Sequence, residues 1–302
     1  AGSLMNNAGI TERIFDFAKA LMGWMRGGLG HVNVGASIVF SGMSGAAVAD
    51  AGGLGTIEVK AMKDAGYDEE FAVGITAASS TIGPIIPPSL PMVIYGVMAS
   101  ASVGQLFAAG LLPGLLMGAM LMGMIFIISR RRGYTADARF SVGVLGRTFG
   151  RAVLSLMTPV IIVGGIITGM FTPTESAVAA VVYALFLGVV IYRTLTWRKL
   201  LKVSMETIET TAIILFIVGA ASIFAWILSS NQVTQHLVAL LGPFADSKVA
   251  VLLFSNIVLI IIGCFMETIA AITILVPVLL PLAVAVGVDP VHFGVIMVLN
   301  LM

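Results

Sequence analysis

Residues 77–91, Ala77-Ala78-Ser79-Ser80-Thr81-Ile82-Gly83-Pro84-Ile85-Ile86-Pro87-Pro88-Ser89-Leu90-Pro91, sit inside an apolar run, 71–98, long enough to cross a bilayer. They cannot continue as a helix. Three prolines within Gly83 to Pro88 remove amide donors, and each biases its predecessor away from helical angles. Backbone carbonyls in the stretch from Gly83 to Pro88 are thereby freed. At membrane depth such backbone is tolerated only inside protein or beside a polar cavity, where its oxygens can bind a cation. A simple proline kink is the plainer alternative, but Ser89 and the repeated breakers exceed what a kink requires.

The surroundings are those of a membrane protein. Of 302 residues, 59% are hydrophobic and 10% charged, with a mean hydropathy of +1.07. One water-soluble core cannot hide that surface, so lipid is its solvent. Further runs long enough to cross about 30 Å of hydrocarbon lie at 105–129, 152–170, 174–192 and 207–229, with another starting near 291. The net charge of +1 and the lack of a basic run interleaved with aromatics exclude the footprint of a nucleic-acid binder. The single cysteine, Cys264, excludes disulfides and a zinc ribbon, and is read as a small buried filler. Walker A and HExxH patterns are absent. The chain starts at Ala1 and runs out within the apolar Val291 to Met302, so we expect a central piece of a longer protein.

Two stretches, 32–57 and 249–281, are too long for one span and are interrupted by Ser41-Gly42-Met43-Ser44-Gly45 and by Gly263-Cys264-Phe265-Met266-Glu267-Thr268. Both are expected to be re-entrant hairpins. With neither crossing, segments 11–27, 58–70, 130–151 and 193–206 share one side, and every Lys and Arg except Lys248 falls there, as the positive-inside rule asks. Gly42, Gly66 and Asp68 recur as Gly263, Gly287 and Asp289 at one common offset. An odd number of crossings separates the copies, which inverts the second. Amphipathic stretches, Thr11 to Arg26 and Thr234 to Leu241, precede the hairpins as interfacial arms. The expected fold is therefore an all-α polytopic membrane protein with inverted repeats, each carrying a re-entrant helical hairpin and a broken transmembrane helix, the architecture of secondary transporters. Its expected parts are an arm region 1–31, a first repeat 32–98, connecting and scaffold helices 99–230, and a second arm, hairpin and helix start 231–302.

Ser41 and Ser44, three residues apart beside glycines, can turn hydroxyl and carbonyl oxygens toward one point, the cage a hard monovalent cation requires. Close packing of a hairpin tip explains the same residues, and the sequence leaves both readings open. Asp50 and Glu267 fall within the hairpins, where an ion is costly; they face a polar cavity or accept from hairpin amides. Glu175, after Phe171-Thr172-Pro173-Thr174, is read as a helix-start carboxylate. Asn33, Thr76, Ser79, Ser80, Thr81, Ser222, Ser229, Asn256, Thr268 and Thr273 are weak candidates for a hydrophilic path. His31, His236 and His292 sit at segment ends and read as interfacial. Gly42-Met43-Ser44-Gly45 has the Gly-x-Ser-Gly form of rhomboid-type intramembrane proteases, but a nucleophile needs a nearby base and no histidine lies mid-span.

These residues resemble a known family, the DctM/SiaM-like large membrane (M) subunit of tripartite ATP-independent periplasmic (TRAP) transporters. The resemblance rests on Gly27-Gly28-Leu29 with Asn33-Val34; Ser41 to Gly45 with Ala49-Asp50; Gly66-Tyr67-Asp68; Ala77 to Pro91; Phe171 to Glu175; and Gly263 to Pro281. It implies a sodium-coupled importer of organic acids in a bacterial or archaeal inner membrane, an elevator motion, a small membrane (Q) subunit and a periplasmic binding (P) protein, with no organic cofactor. It implies one sodium site from Ser41 and Ser44 with carbonyls of Gly83, Ile86 and Pro88, and a second using Gly263 with a Gly-x-x-Thr-Pro-Pro segment expected just past Met302. Asn33, Asp50, Ser89, Glu267 and Thr268 are the expected substrate-facing residues. The face carrying Gln232, Asp246 and Asp289 is expected to dock the binding protein. The alternative is a sodium/dicarboxylate symporter that needs no binding protein.

Overall fold

The computed structural model describes residues 4, 5, 9–231 and 247–302, and among them the chain is helical, with one isolated bridge between Arg26 and Ala136. The helices are α1 (Ile10–Met22), α2 (Gly28–Ser44), α3 (Ala47–Asp64), α4 (Glu69–Ser80), α5 (Leu90–Ala99), α6 (Val103–Arg132), α7 (Val142–Ile167), α8 (Pro173–Phe186, prolonged by a π turn Leu187–Ile191), α9 (Trp197–Ser230), α10 (Lys248–Gly263), α11 (Thr268–Ala285) and α12 (Pro290–Asn300). Five helices, Val103–Arg132, Val142–Ile166, Pro173–Ile191, Trp197–Phe224 and Thr268–Ala285, are long and apolar enough to cross a membrane. The chain is a multi-pass membrane protein. Thr268–Ala285 is half buried within the protein, unlike the other four. It packs as a hairpin arm.

The chain forms two compact units, Ala1–Ser89 with Leu111–Ser204, and Leu90–Gly110 with Met205–Met302. The division falls inside the segment 32–98 that the sequence reads as one repeat. In the first unit, α1 buries Ile10, Ile14, Phe15 and Ala18 along one face, as its amphipathic pattern requires. The chain then reverses between α2 and α3, because Gly45 takes a left-handed conformation (φ 64°) that ends the helix, and Ala46 is extended. The first hairpin is thus present. Its arms run 28–64 rather than 32–57, since Glu58, Lys60, Lys63 and Asp64 stay helical instead of ending the arm. The apolar run 71–98 is divided as expected, into α4 and α5 with Thr81 to Ser89 non-helical between them.

Both ends of this hairpin are tied to one place. Asp137 Oδ2 accepts from the Tyr67 hydroxyl at 2.5 Å and from the Leu29 amide at 2.8 Å, so the base of α2 and the turn after α3 meet at one carboxylate. The Gly27 amide bonds Thr135 O at 3.1 Å, and Asp68 receives Arg132 Nη1 at 2.6 Å and the Tyr134 hydroxyl at 2.7 Å. Tyr67, Phe71 and Tyr134 pack their rings over this knot. The Tyr134 hydroxyl, then the Arg132 guanidinium, hold the Asp68 carboxyl below its ordinary value. A depressed carboxylate stabilises above its unfolded value of 3.8 and loses that contribution as pH falls through the depressed one.

The second unit contains a further helical hairpin. α10 and α11 are joined by a tip in which Glu267 Oε2 accepts from the Ile269 and Ala270 amides at 2.8 and 3.0 Å. Of the two readings of Glu267, the amide acceptor is the observed one. Gly287 turns the chain at φ 76°, as Gly66 does at φ 84°, and Asp289 caps α12 through the Val291 and His292 amides. α5 belongs here: the Tyr95 hydroxyl donates to Pro290 O at 2.6 Å, and Gly294 leaves room for the Tyr95 ring. Glu175 closes a capping box with Thr172, as expected.

Three expectations need correction or fall elsewhere. Cys264 is exposed, because it lies on the turn of the second hairpin rather than in an arm. His31 is buried, because α2 starts at Gly28 and carries it one turn into the unit. His292 is exposed, while Gln232, His236, Asp246 and the arm Thr234 to Leu241 lie outside the described residues. Asp137→Ala removes the shared acceptor and leaves a buried-edge amide and a phenol unpaired, which we expect to cost about 2 kcal/mol; thermal unfolding in detergent, with Asp137→Asn as the milder control, measures it.

Candidate functional site

The first candidate site forms where two pieces of non-helical backbone meet. An added Cβ on Gly83 would lie 3.2 Å from Ser80 O and 3.6 Å from the Ala46 carbonyl, so the hairpin turn rests directly on the break after α4. Glycines on α6 let both approach it closely: Gly114 faces Ile85 and Ile86, and Gly118 faces Ile38 and Ile82. On the other side Gly42 lies against Pro159 of α7. Ile82, Ile85 and Ile86 are buried, so the irregular backbone is enclosed by the unit itself.

Within it, Ser41 is buried and its hydroxyl donates to Ile38 O at 2.7 Å, which leaves the oxygen's lone pairs available. The Ser44 backbone ends α2, and its side chain lies outside the description. In the break, the Ile85 and Ile86 amides turn back to Ile82 O, the Ser89 hydroxyl donates to Pro84 O, and Pro84, Pro87 and Pro88 supply no amide donors. Among the described residues no three His, Cys, Asp or Glu side chains cluster as a metal site. A hard monovalent ion needs only hydroxyl and carbonyl oxygens; the contact the structure gives between tip and break is that of the Ala46 carbonyl with Gly83.

Behind the tip, α2 and α4 are joined by a side-chain relay. Asn33 Nδ2 donates to Thr76 Oγ1 at 2.7 Å, Ser79 Oγ donates to Asn33 Oδ1 at 2.6 Å, and Ser37 Oγ donates to Ser79 Oγ at 3.2 Å. All four are buried. Asn33 and Asp50 are both buried, and the Asn33 side chain makes one bond through its nitrogen and one through its oxygen. Sequence reasoning passed over Ser37 and Glu58. Ser37 follows Asn33 by one turn, and Glu58 follows Asp50 by two, and that spacing was the available signal.

The second unit places a similar contact at its own tip. An added Cβ on Gly263 would lie 3.2 Å from Asn300 O and 3.4 Å from Leu301 Cα, and the Thr268 hydroxyl donates to Leu301 O at 3.0 Å. Asn300 Nδ2 donates to Asn256 Oδ1 at 2.8 Å, joining α12 to α10 much as Ser79 and Asn33 join α4 to α2. Glu267 is exposed beside this tip, Thr273 bonds back to Ala270 O, and Ser222 bonds back to Val218 O on an exposed face.

The described residues thus form a multi-pass helical protein with a hairpin tip seated on a broken, enclosed helix. Over residues 1–302 the chain matches the family described as the tripartite ATP-independent periplasmic transporter, DctM component, and it belongs to that family. It is 51% identical over 301 residues to the sialic acid TRAP transporter large permease protein SiaM of Vibrio cholerae, covering all of this chain and 70% of that one. It is 43% identical over 301 residues to the sialic acid TRAP transporter permease protein SiaT of Haemophilus influenzae, where it spans 49% of the longer chain. It is 39% identical over 301 residues to the C4-dicarboxylate TRAP transporter large permease protein DctM of Pseudomonas aeruginosa, again covering all of this chain and 70% of that one. The chain is thus similar to large permeases, and the serine-protease reading of Gly42 to Gly45 gives way.

Ser79→Ala leaves the Asn33 carbonyl without its donor inside the unit, for an expected loss of about 1–3 kcal/mol. Ser80→Ala, whose hydroxyl only bonds back to Ala77 O at 2.8 Å, should cost clearly less. Comparing the two melting temperatures in detergent tests the relay.

Proposed function

We propose that this chain is the translocating part of a sodium-coupled importer of an organic acid. The observation that carries the reading is the contact of the Gly45-Ala46 turn with Gly83, which sets the Ser41 end of α2 against proline-broken backbone. In this reading Ser41 and Ser44 supply hydroxyl oxygens, and Gly83, Ile86 and Pro88 supply carbonyls, to one sodium ion. A second ion binds near Gly263 in the other unit. In this reading the segments 32–98 and 231–302 are inverted repeats, each a hairpin followed by a broken helix, and loaded tips permit an elevator movement that a half-loaded protein does not make.

The relatives' printed substrates, sialic acid and C4-dicarboxylate, both carry carboxylates at neutral pH. In this reading a carboxylate substrate binds beside the tips, with Ser89, Glu267 and Thr268 near it. Asn33, enclosed between helices and bonded to Thr76 and Ser79, holds the first hairpin instead, and Asp50 is buried in the same hairpin. A small membrane subunit and a periplasmic binding protein complete the transporter, in the cytoplasmic membrane of a bacterium.

In proteoliposomes holding the full-length parent and its small subunit, uptake of a labelled organic acid should need both a sodium gradient and the binding protein. Sodium-driven uptake without the binding protein identifies a stand-alone symporter, and uptake indifferent to sodium refutes the coupling. In the same assay Ser41→Ala with Ser44→Ala should raise the sodium concentration for half-maximal uptake about tenfold, the loss of about 1.4 kcal/mol of ion binding; unchanged sodium activation rejects the site.

A further inference from the structure

Between the end of α6 and the first turns of α7, residues 130–151 carry Arg130, Arg131, Arg132, Arg139, Arg147 and Arg151 against a single acid, Asp137. Asp137 is taken by the Leu29 amide and the Tyr67 hydroxyl, and Arg132 by Asp68. The other five arginines are exposed. Among the described residues the ion pairs are Lys63–Glu69 and Arg132–Asp68, so none of the five is paired. Glu12 and Asp16 of the neighbouring α1 are exposed and do not reach them, and the first turn of α7 holds no carboxylate to offset them.

The same stretch is apolar at its surface. Phe140, Val142, Val144 and Phe149 are exposed, from 47% at Phe149 to 73% at Val142, and Trp24 beside them is 50% exposed. Trp24 meets Phe140 edge-on with ring centroids 6.1 Å apart, and Phe17 meets Phe149 at 5.7 Å, so α1 braces the patch from two points. The Asp137 and Ala138 amides donate to Gly23 O, and the Gly27 amide to Thr135 O, which ties the intervening loop to the turn between α1 and α2. The arginines are thus carried on a fixed surface.

Unpaired guanidinium groups interleaved with exposed rings and valines suit neither hydrocarbon nor bulk water. Helix length places them between the two. α6 has 30 residues and α7 has 26, about 45 Å and about 39 Å of helix, against about 30 Å of hydrocarbon. Neither helix carries a charge elsewhere, so the excess of both falls at the arginine-bearing end. That depth is the headgroup layer, where aromatic rings settle and guanidinium groups pair with phosphate. Val144, Arg147 and Arg151 fall on one face of α7, at spacings of three and four residues.

We propose that this patch is a binding site for an anionic phospholipid, its phosphate paired by Arg147 and Arg151, with Arg130, Arg131 and Arg139 adding attraction around it. Trp24, Phe140 and Phe149 seat the patch at the level of the headgroups. A lipid fits better than an acidic protein surface, because the patch is continuous with two membrane-spanning helices and its apolar side chains are satisfied by acyl chains. The site is separate from the ion and substrate readings above and stands without them.

The test uses the full-length protein with its small subunit in detergent, titrated with a phosphatidylglycerol or with the phosphatidylcholine of the same chains, and read by native mass spectrometry. The wild type should hold phosphatidylglycerol in preference to phosphatidylcholine. Arg147→Gln should weaken its tightest phosphatidylglycerol about fivefold, the equivalent of about 1 kcal/mol for one cation. Arg139→Gln, Arg147→Gln and Arg151→Gln together should abolish the preference, and an unchanged melting temperature without lipid shows that the variants fold. Lys60→Gln, which removes an exposed cation of α3 outside the patch, should change nothing. Equal retention of phosphatidylglycerol by the triple variant overturns the proposal. An equal loss in Lys60→Gln does so too, since it marks attraction to overall charge, as does release of the lipid by inorganic phosphate at constant ionic strength, which marks a free-anion site.

Discussion

Non-helical backbone in an apolar setting must be enclosed, and the first unit depends on how this is done. The Gly45-Ala46 turn and the Thr81 to Ser89 break each leave the helical ladder, and either one facing hydrocarbon would strand polar backbone groups at a cost of several kcal/mol each. The chain places them against one another, with Gly83 at the contact, and closes α6 and α7 over them through Gly114, Gly118 and Pro159. The positions freed from helix geometry are thereby concentrated at one point, and an oxygen-rich ion site needs that arrangement.

Holding that point requires both ends of the hairpin to be fixed. At the base, Asp137 and Asp68 gather the start of α2, the turn after α3 and the end of α6 into one knot of charge-assisted bonds and stacked rings. Between base and tip, the relay from Ser37 to Thr76 binds α2 to α4 along the buried face. A buried polar network of this kind contributes register as well as stability, because each member is satisfied in only one alignment of the helices. The second unit keeps the logic with fewer parts, a capped tip at Glu267, a capped turn at Asp289 and one amide pair, Asn256 with Asn300.

Much of this was legible from residue pattern. Prolines at 84, 87 and 88 announced the break, the small residues at 41–45 announced a turn, and the recurring Gly66-x-Asp68 and Gly287-x-Asp289 announced turns, which the structure makes with left-handed glycines. Glu175 was read as a helix-start carboxylate because Thr172 and Pro173 precede it, and its capping box follows from local spacing alone. The misreadings share one cause. His31 and Cys264 were placed by their neighbours in sequence, while their burial depends on which helices pack over them. Glu58 was passed over because Lys60, Lys63 and Asp64 made its surroundings look solvated, although it points from the opposite face of the same helix.

The sequence by itself determined that this is a multi-pass helical protein, where its chain must leave the helix, and to which family it is similar, because hydropathy, proline and glycine act locally and need no partner to exert their effect. Only the tertiary structure decided which oxygens meet. The seating of Ala46 on Gly83, the sharing of Asp137 between Leu29 and Tyr67, and the relay from Ser37 through Ser79 and Asn33 to Thr76 all join residues far apart in the chain. Such contacts are set by helix packing, where a single turn of rotation exchanges a buried face for an exposed one.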